Sequence, residues 1–208
     1  MKAGRPRQFD RQQAVISAMH LFWQNGYDAT SLSQLKAAIG GGITAPSFYA
    51  AFGSKEALFR EAVECYLQTH AQVTETLWDE SLAPRLALES AFRGSLRMQY
   101  EEGHPRGCMV ALGVMSCIAE QDRTILAPLT ASRQRTRDGI QFCIDRGIRS
   151  GELQNTPATR ALTTVFNSFM LGISTLARDN APKQSIEQAI EQILTLWDAA
   201  KLTDKAPE

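Results

Sequence analysis

The chain has 208 residues, 44% hydrophobic and 21% charged, with 22 basic side chains against 22 acidic ones. Zero net charge excludes a uniformly basic nucleic-acid coat, and the length suits one large or two small globular domains. The charge is unevenly placed: residues 1–60 carry seven Lys/Arg against Asp10, Asp28 and Glu56, leaving a basic start on an acidic remainder. That asymmetry is expected where one end faces phosphate, although a solvated face would also produce it. Met1 to Arg7 is polar and basic with no apolar segment behind it, and no apolar run approaches ~18–20 residues. Neither an export signal nor a membrane span is expected, and the location expected is cytoplasmic. The four cysteines (65, 108, 117 and 143) form no CxxC pair, so they are read as reduced thiols.

Gly4-Arg5-Pro6-Arg7 precedes the first helix, and a short arm with Arg5 and Arg7 suits a DNA minor groove as well as a plain tail. Helix 1 is predicted over Asp10 to Asn25, burying Val15, Ala18 and Phe22, with Gly26 after its end. Tyr27 is expected beneath helices 2 and 3. Ser31 followed by Gln34 is a capping-box pattern, with Thr30 an alternative cap, and Leu32, Leu35 and Ile39 supply one apolar stripe. Gly40-Gly41-Gly42 stops that helix. Thr44 caps the next one, with Ala45 and Pro46 in its first turn and an Ile43–Phe48 staple fixing the entry angle. Two short helices joined in this way read as a helix-turn-helix, although any αα-hairpin could carry the pattern. The solvent side of helix 3 is Ala45, Pro46, Ser47, Ala50 and Ala51. Tyr49 and Lys55 offer donors for phosphate oxygens.

The wider string, TS…AAxG…IT…FYAAFGSKEALF, resembles the N-terminal DNA-binding domain of the TetR/AcrR family of bacterial transcriptional regulators. The matching residues are Phe22 and Gly26, Thr30-Ser31, Tyr49 and Phe52, and Ser54-Lys55-Glu56. The resemblance is close over Phe9 to Phe59 and general beyond. One departure stands out: the family's single turn glycine is answered here by both Gly40 and Gly42, so the turn carries two extra residues. The resemblance implies a homodimer that binds a palindromic double-stranded operator, with a small-molecule effector and no cofactor, metal or catalysis. The DNA-contacting set expected for such a regulator is Arg5, Arg7, Thr30, Thr44, Ala45, Pro46, Ser47, Tyr49 and Lys55, read from the arm, the caps and the helix 3 face of this sequence.

Helix 4 is predicted from Ser54 to about Trp78, long enough to couple two domains. Further helices are predicted at Pro84–Glu102, Cys108–Glu120, Thr124–Ser150, Pro157–Asn180 and Ser185–Lys201. No stretch alternates with period two, so the fold is all-α with about nine helices. It divides into a helix-turn-helix domain (1–53) and a helical effector-binding and dimerisation domain (54–208). In the family this second region encloses a ligand. Candidate lining residues are Met98, Tyr100, Cys108, Met109, Met115, Cys117, Phe142 and Phe166, although such residues equally suit a plain core. The last two helices carry an apolar stripe at Leu162, Phe166, Phe169 and Ile173 and at Ile186, Ile190, Ile193 and Trp197. This stripe suits either a core or the two-fold interface the resemblance implies.

His104-Pro105-Arg106-Gly107-Cys108 is the most unusual segment of the second region. A thiol at a helix start beside Arg106 and His104 has the electropositive setting that raises reactivity. Some family members with a similar Gly-Cys junction sense electrophiles or oxidants. Two other readings stand beside a regulator: a thiol or redox protein using Cys108, with a purely structural helix-turn-helix, and a ligand-binding dimer whose lengthened turn has abolished operator reading.

Overall fold

The computed structural model describes residues 9–113 and 124–202. Its helices are α1 (Arg11–Asn25), α2 (Leu32–Ala38), α3 (Ala45–Phe52), α4 (Lys55–Gln68), a 3-10 helix (His70–Trp78), α5 (Pro84–Tyr100), α6 (Met109–Gly113), α7 (Ala127–Arg149), α8 (Pro157–Arg178) and α9 (Lys183–Ala199). Among the described residues the only extended pairing is an isolated antiparallel bridge between Leu153 and Lys201. The all-α reading holds, and no described helix is long and apolar enough to cross a membrane.

The caps explain where the first helices start. Asp10 accepts from the N–H groups of Gln12 and Gln13, and Ser31 and Gln34 close a reciprocal capping box. Thr44 accepts from the Ser47 N–H and Ser54 from the Ala57 N–H. Each cap satisfies backbone donors that the helix itself leaves unpaired. Between α2 and α3 the three glycines all take positive φ (56°, 78° and 114°), and the Ile43 N–H returns to the Lys36 carbonyl at 2.9 Å. A Cβ on Gly40 would lie 2.5 Å from the Phe9 Cβ, so this position excludes side chains by space as well as by backbone.

The expected rod from Ser54 to Trp78 is two elements. The α-helix stops at Gln68; Thr69, at φ −120° and ψ −85°, sends its N–H to Tyr66 and its hydroxyl to the Cys65 carbonyl at 2.7 Å. A polar side chain that bonds back to its own turn competes with helix propagation. The chain continues as the tighter 3-10 segment, which lies close against α7: a Cβ on Gly139 would stand 2.9 Å from the Leu77 Cβ.

The chain forms two compact units, residues 1–69 with 108–130 and residues 70–107 with 131–208. In the first, α1 and α4 pack through aromatic pairs, Phe22 edge-on to Phe59 at 5.0 Å and Trp23 edge-on to Tyr66 at 4.8 Å. Leu35, Ile39, Phe48 and Phe52 bury α2 and α3. Tyr27, expected under helices 2 and 3, packs instead on Phe22 of α1 and Phe59 of α4. In the second unit, one core joins Leu77, α5, α7, α8 and α9 around Phe92, Ile144, Phe166, Ile190 and Trp197.

Candidate nucleic-acid interface and ligand region

α3 divides its eight residues cleanly between two faces. Phe48 and Phe52 are buried; Pro46, Ser47, Tyr49 and Ala50 are exposed, and Ala45 is half-buried. Tyr49 is 51% exposed, and few large apolar side chains stand so open. Thr44 stands exposed at the cap, its hydroxyl 3.0 Å from that of Ser47. Small side chains flanking an exposed phenol give a surface that lies close to a flat partner and offers hydroxyl donors at its edges.

Lys55, in the first turn of α4, holds its Nζ 4.3 Å from the centre of the Tyr27 ring. The ring face attracts the ammonium and fixes it beside the N–H groups that open α4. Arg11 makes a paired bridge to Glu61 of α4, with 2.8 Å contacts, and lies 5.4 Å over Phe52. This ties α1 to the elements that carry the exposed face.

Thr30 requires correction. It is fully buried, and its hydroxyl donates to the Gly26 carbonyl at 2.7 Å, with the Leu21 carbonyl at 3.3 Å. Its one hydroxyl proton closes the bend between α1 and α2, so the side chain has no donor for a phosphate. Arg5 and Arg7 lie outside the described residues.

The lining residues predicted for a ligand fall into separate surroundings, and Met115 and Cys117 lie outside the described residues. In the first unit, the Tyr66 hydroxyl donates to the Cys108 Sγ at 3.2 Å and accepts from the Met109 N–H at 3.3 Å. Cys108 is half-buried and Met109 buried. Burial of Tyr66, and after it the neighbouring Cys108, holds the phenol well above its ordinary pKa. In the second unit, Tyr100 donates to the Ala181 carbonyl at 2.5 Å with Arg106 5.1 Å over its ring. Phe142 stacks on Trp78 at 5.4 Å, and Phe166 meets Phe92 inside the core. Met98 is buried on α5. Tyr66, 42 residues before Cys108, carried no sequence signal for that contact.

Six of the eight residues assigned to an oligomer interface, Leu162, Phe166, Ile173, Ile186, Ile190 and Trp197, require correction because they are buried in the chain's own core. Phe166, Ile173, Ile186, Ile190 and Trp197 are fully or almost fully buried within the chain, Leu162 is 9% exposed, and Phe169 and Ile193 are partly buried against the same core. The large apolar side chains left open on these helices are Val165, Leu176 and Leu196. The 3.6-residue period is identical for an inward and an outward stripe, and the stronger stripe serves the chain's own core.

A short capped helix with an open face, in a chain whose remainder is a larger helical body, defines a helix-turn-helix protein. The model for bacterial regulatory proteins of the tetR family matches residues 16–62. ComR of Escherichia coli K12, an HTH-type transcriptional repressor, is 33% identical, covering 93% of this chain and 91% of its own. BdcR of the same organism, also an HTH-type transcriptional repressor, is 37% identical, covering 95% and 92%. A cysteine-substituted variant of the TetR-family regulator CifR, solved with 26-bp double-strand operator DNA, is 32% identical. It covers 93% of this chain and 100% of its own, with a TM-score of 0.81. The chain therefore belongs to the TetR family. Members of that family are DNA-binding transcription factors without enzymatic activity.

Proposed function

We propose that the chain is a homodimeric one-component repressor. Residues 1–53 read a palindromic operator, and residues 54–208 bind an effector and dimerise. The observation that carries this reading is the open face of α3, with a half-exposed tyrosine among small residues and both phenylalanines turned inward. Thr44, Tyr49 and Lys55 hold phosphates, and Ala45, Pro46 and Ser47 face base edges. Alanine and proline supply only apolar contact, for instance to thymine methyls, so DNA shape and the Arg5/Arg7 arm add to specificity. The outward Val165, Leu176 and Leu196 form the two-fold interface, which places two recognition helices about one DNA turn, ~34–36 Å, apart. The protein works in the cytoplasm.

Effector binding releases the operator through unequal affinity for the two conformations of the dimer. The effector is a small molecule or a thiol-reactive compound. The Tyr66–Cys108 contact supports the thiol arm, because it fixes a half-buried thiol beside the start of α6. The test is fluorescence anisotropy of the full chain on the intergenic duplex beside its own gene, with a scrambled duplex and a salt titration. Tight binding that prefers the native duplex is expected, and Tyr49→Ala should weaken it at least ten-fold. Equal, weak binding to both duplexes, or an unaffected Tyr49→Ala, would overturn the reading.

A further inference from the structure

Inside the second unit, Gln99 of α5 is fully buried, and its amide is only half satisfied. Its Nε2 donates to the Ser95 Oγ at 2.7 Å, one turn earlier on the same helix. Its Oε1 has no hydrogen-bond partner among the described residues. Buried polar atoms are almost always paired, so the Gln99 carbonyl is an acceptor that can still take a donor.

Helical spacing shows which way the amide faces. Phe92, seven residues before Gln99 on the same stripe of α5, meets Phe166 and Phe169 of α8 at 6.0 and 5.4 Å. Tyr100 reaches Ala181, just past the end of α8, so the two helices run in the same direction. The level of α8 that corresponds to Gln99 carries Ile173 and Ser174, both buried. Ser174 is the buried hydroxyl at this level of α8, with Thr159 and Thr163 buried nearer the start of the same helix. Ser95, Gln99 and Ser174 are thus buried polar side chains in a unit whose core is aromatic and aliphatic, and no charged side chain is buried among its described residues.

We propose that Gln99 is the polar anchor of the effector site, and that the effector is a neutral small molecule with an apolar body and a hydroxyl group. The hydroxyl donates to Gln99 Oε1, and the apolar body packs between α5 and α8. This rests on the effector-regulated reading given above and names the ligand class for it. A charged ligand is disfavoured because its charge would lie unpaired in a low-dielectric interior. A site built to bond a hydroxyl discriminates sharply against the analogue without one, because the amide is then left unpaired.

The experiment uses the full chain, without DNA, and two probes of similar size: benzyl alcohol and toluene. Binding is read by thermal shift and by titration calorimetry. Benzyl alcohol should bind at least ten-fold more tightly than toluene. Gln99→Met, which keeps the apolar volume and removes the orphan, should erase that preference without lowering the melting temperature of the free protein. Equal binding of both probes to the unsubstituted chain, or binding of neither, overturns the proposal and needs no variant. So does a preference that survives Gln99→Met. Operator affinity is measured separately. If benzyl alcohol binds with the expected preference but leaves the DNA complex intact, the site stands and release by this ligand class fails. If the chain ignores its operator, the repressor reading fails on its own.

Discussion

Thr30 shows what a motif conveys at the scale of one residue and what it omits. The resemblance placed it at the start of helix 2 as a DNA contact, but its hydroxyl closes the bend on Gly26. Removing it takes the hydroxyl donor away from the Gly26 carbonyl in a buried setting. Thr30→Val should cost about 1–3 kcal/mol in urea unfolding, yet leave operator affinity unchanged once the protein is folded. Cys143 makes a second prediction. It is buried, its thiol points at the Leu77 carbonyl at 3.3 Å, and burial pushes its pKa from 9.0 up to about 11. A folded pKa above the unfolded one means that stability is complete below about pH 9 and is lost as pH climbs through about 11. Buried Tyr66, also raised, adds a loss of the same sign above pH 10. Unfolding free energy measured from pH 8 to 11 should fall for the unsubstituted chain and fall less for Cys143→Ala. Mass-mapped alkylation at pH 8 should leave Cys143 unmodified while the half-buried Cys65 and Cys108 react.

Among the elements, the sequence was most informative where caps and glycines punctuate it. Asp10, Ser31, Thr44 and Ser54 start the first four helices at or within a residue of where pattern placed them. It was least informative about direction. Nothing in the spacing of Ile186, Ile190 and Trp197 distinguishes a face turned toward α5 and α7 from one turned outward, and packing resolved it inward. The break at Thr69 was equally hidden, because the apolar stripe of α4 continues across it. A pair of charge insertions separates the two faces of α8 and α9. Leu176→Asp or Leu196→Asp should convert a dimer to a folded monomer in light scattering with little loss of helicity by circular dichroism. Ile190→Asp, which buries an unpaired charge, should unfold the chain.

At the scale of the whole molecule, balanced charge hides a basic first sixty residues, so binding should be strongly salt-dependent although the isoelectric point is near neutral, at about 6.8. Lys55→Ala should reduce the slope of log affinity against log salt by about 1 per protomer, uniformly across duplex sequences. A slope that does not move would remove Lys55 from the phosphate contacts. The all-α class and the helix-turn-helix were legible because both rest on local patterns. The Tyr66–Cys108 contact, the half-satisfied Gln99 amide and the outward Leu176 and Leu196 arise from packing between distant segments, which no local pattern encodes.

The three-glycine turn before α3 bears on how this protein can vary over generations. Gly40, Gly41 and Gly42 all occupy left-handed backbone, so any other residue is strained there, and at Gly40 it also strikes Phe9. Around Gly41 and Gly42 nothing lies within 4 Å of where a Cβ would be, so adding or deleting a glycine disturbs no packed neighbour. Closure entropy changes little with one residue more or less. Selection acting on this turn is therefore steered toward changes of length rather than of composition. Each such change re-aims α3, so a lineage could shift its operator preference without altering a residue on the α3 face.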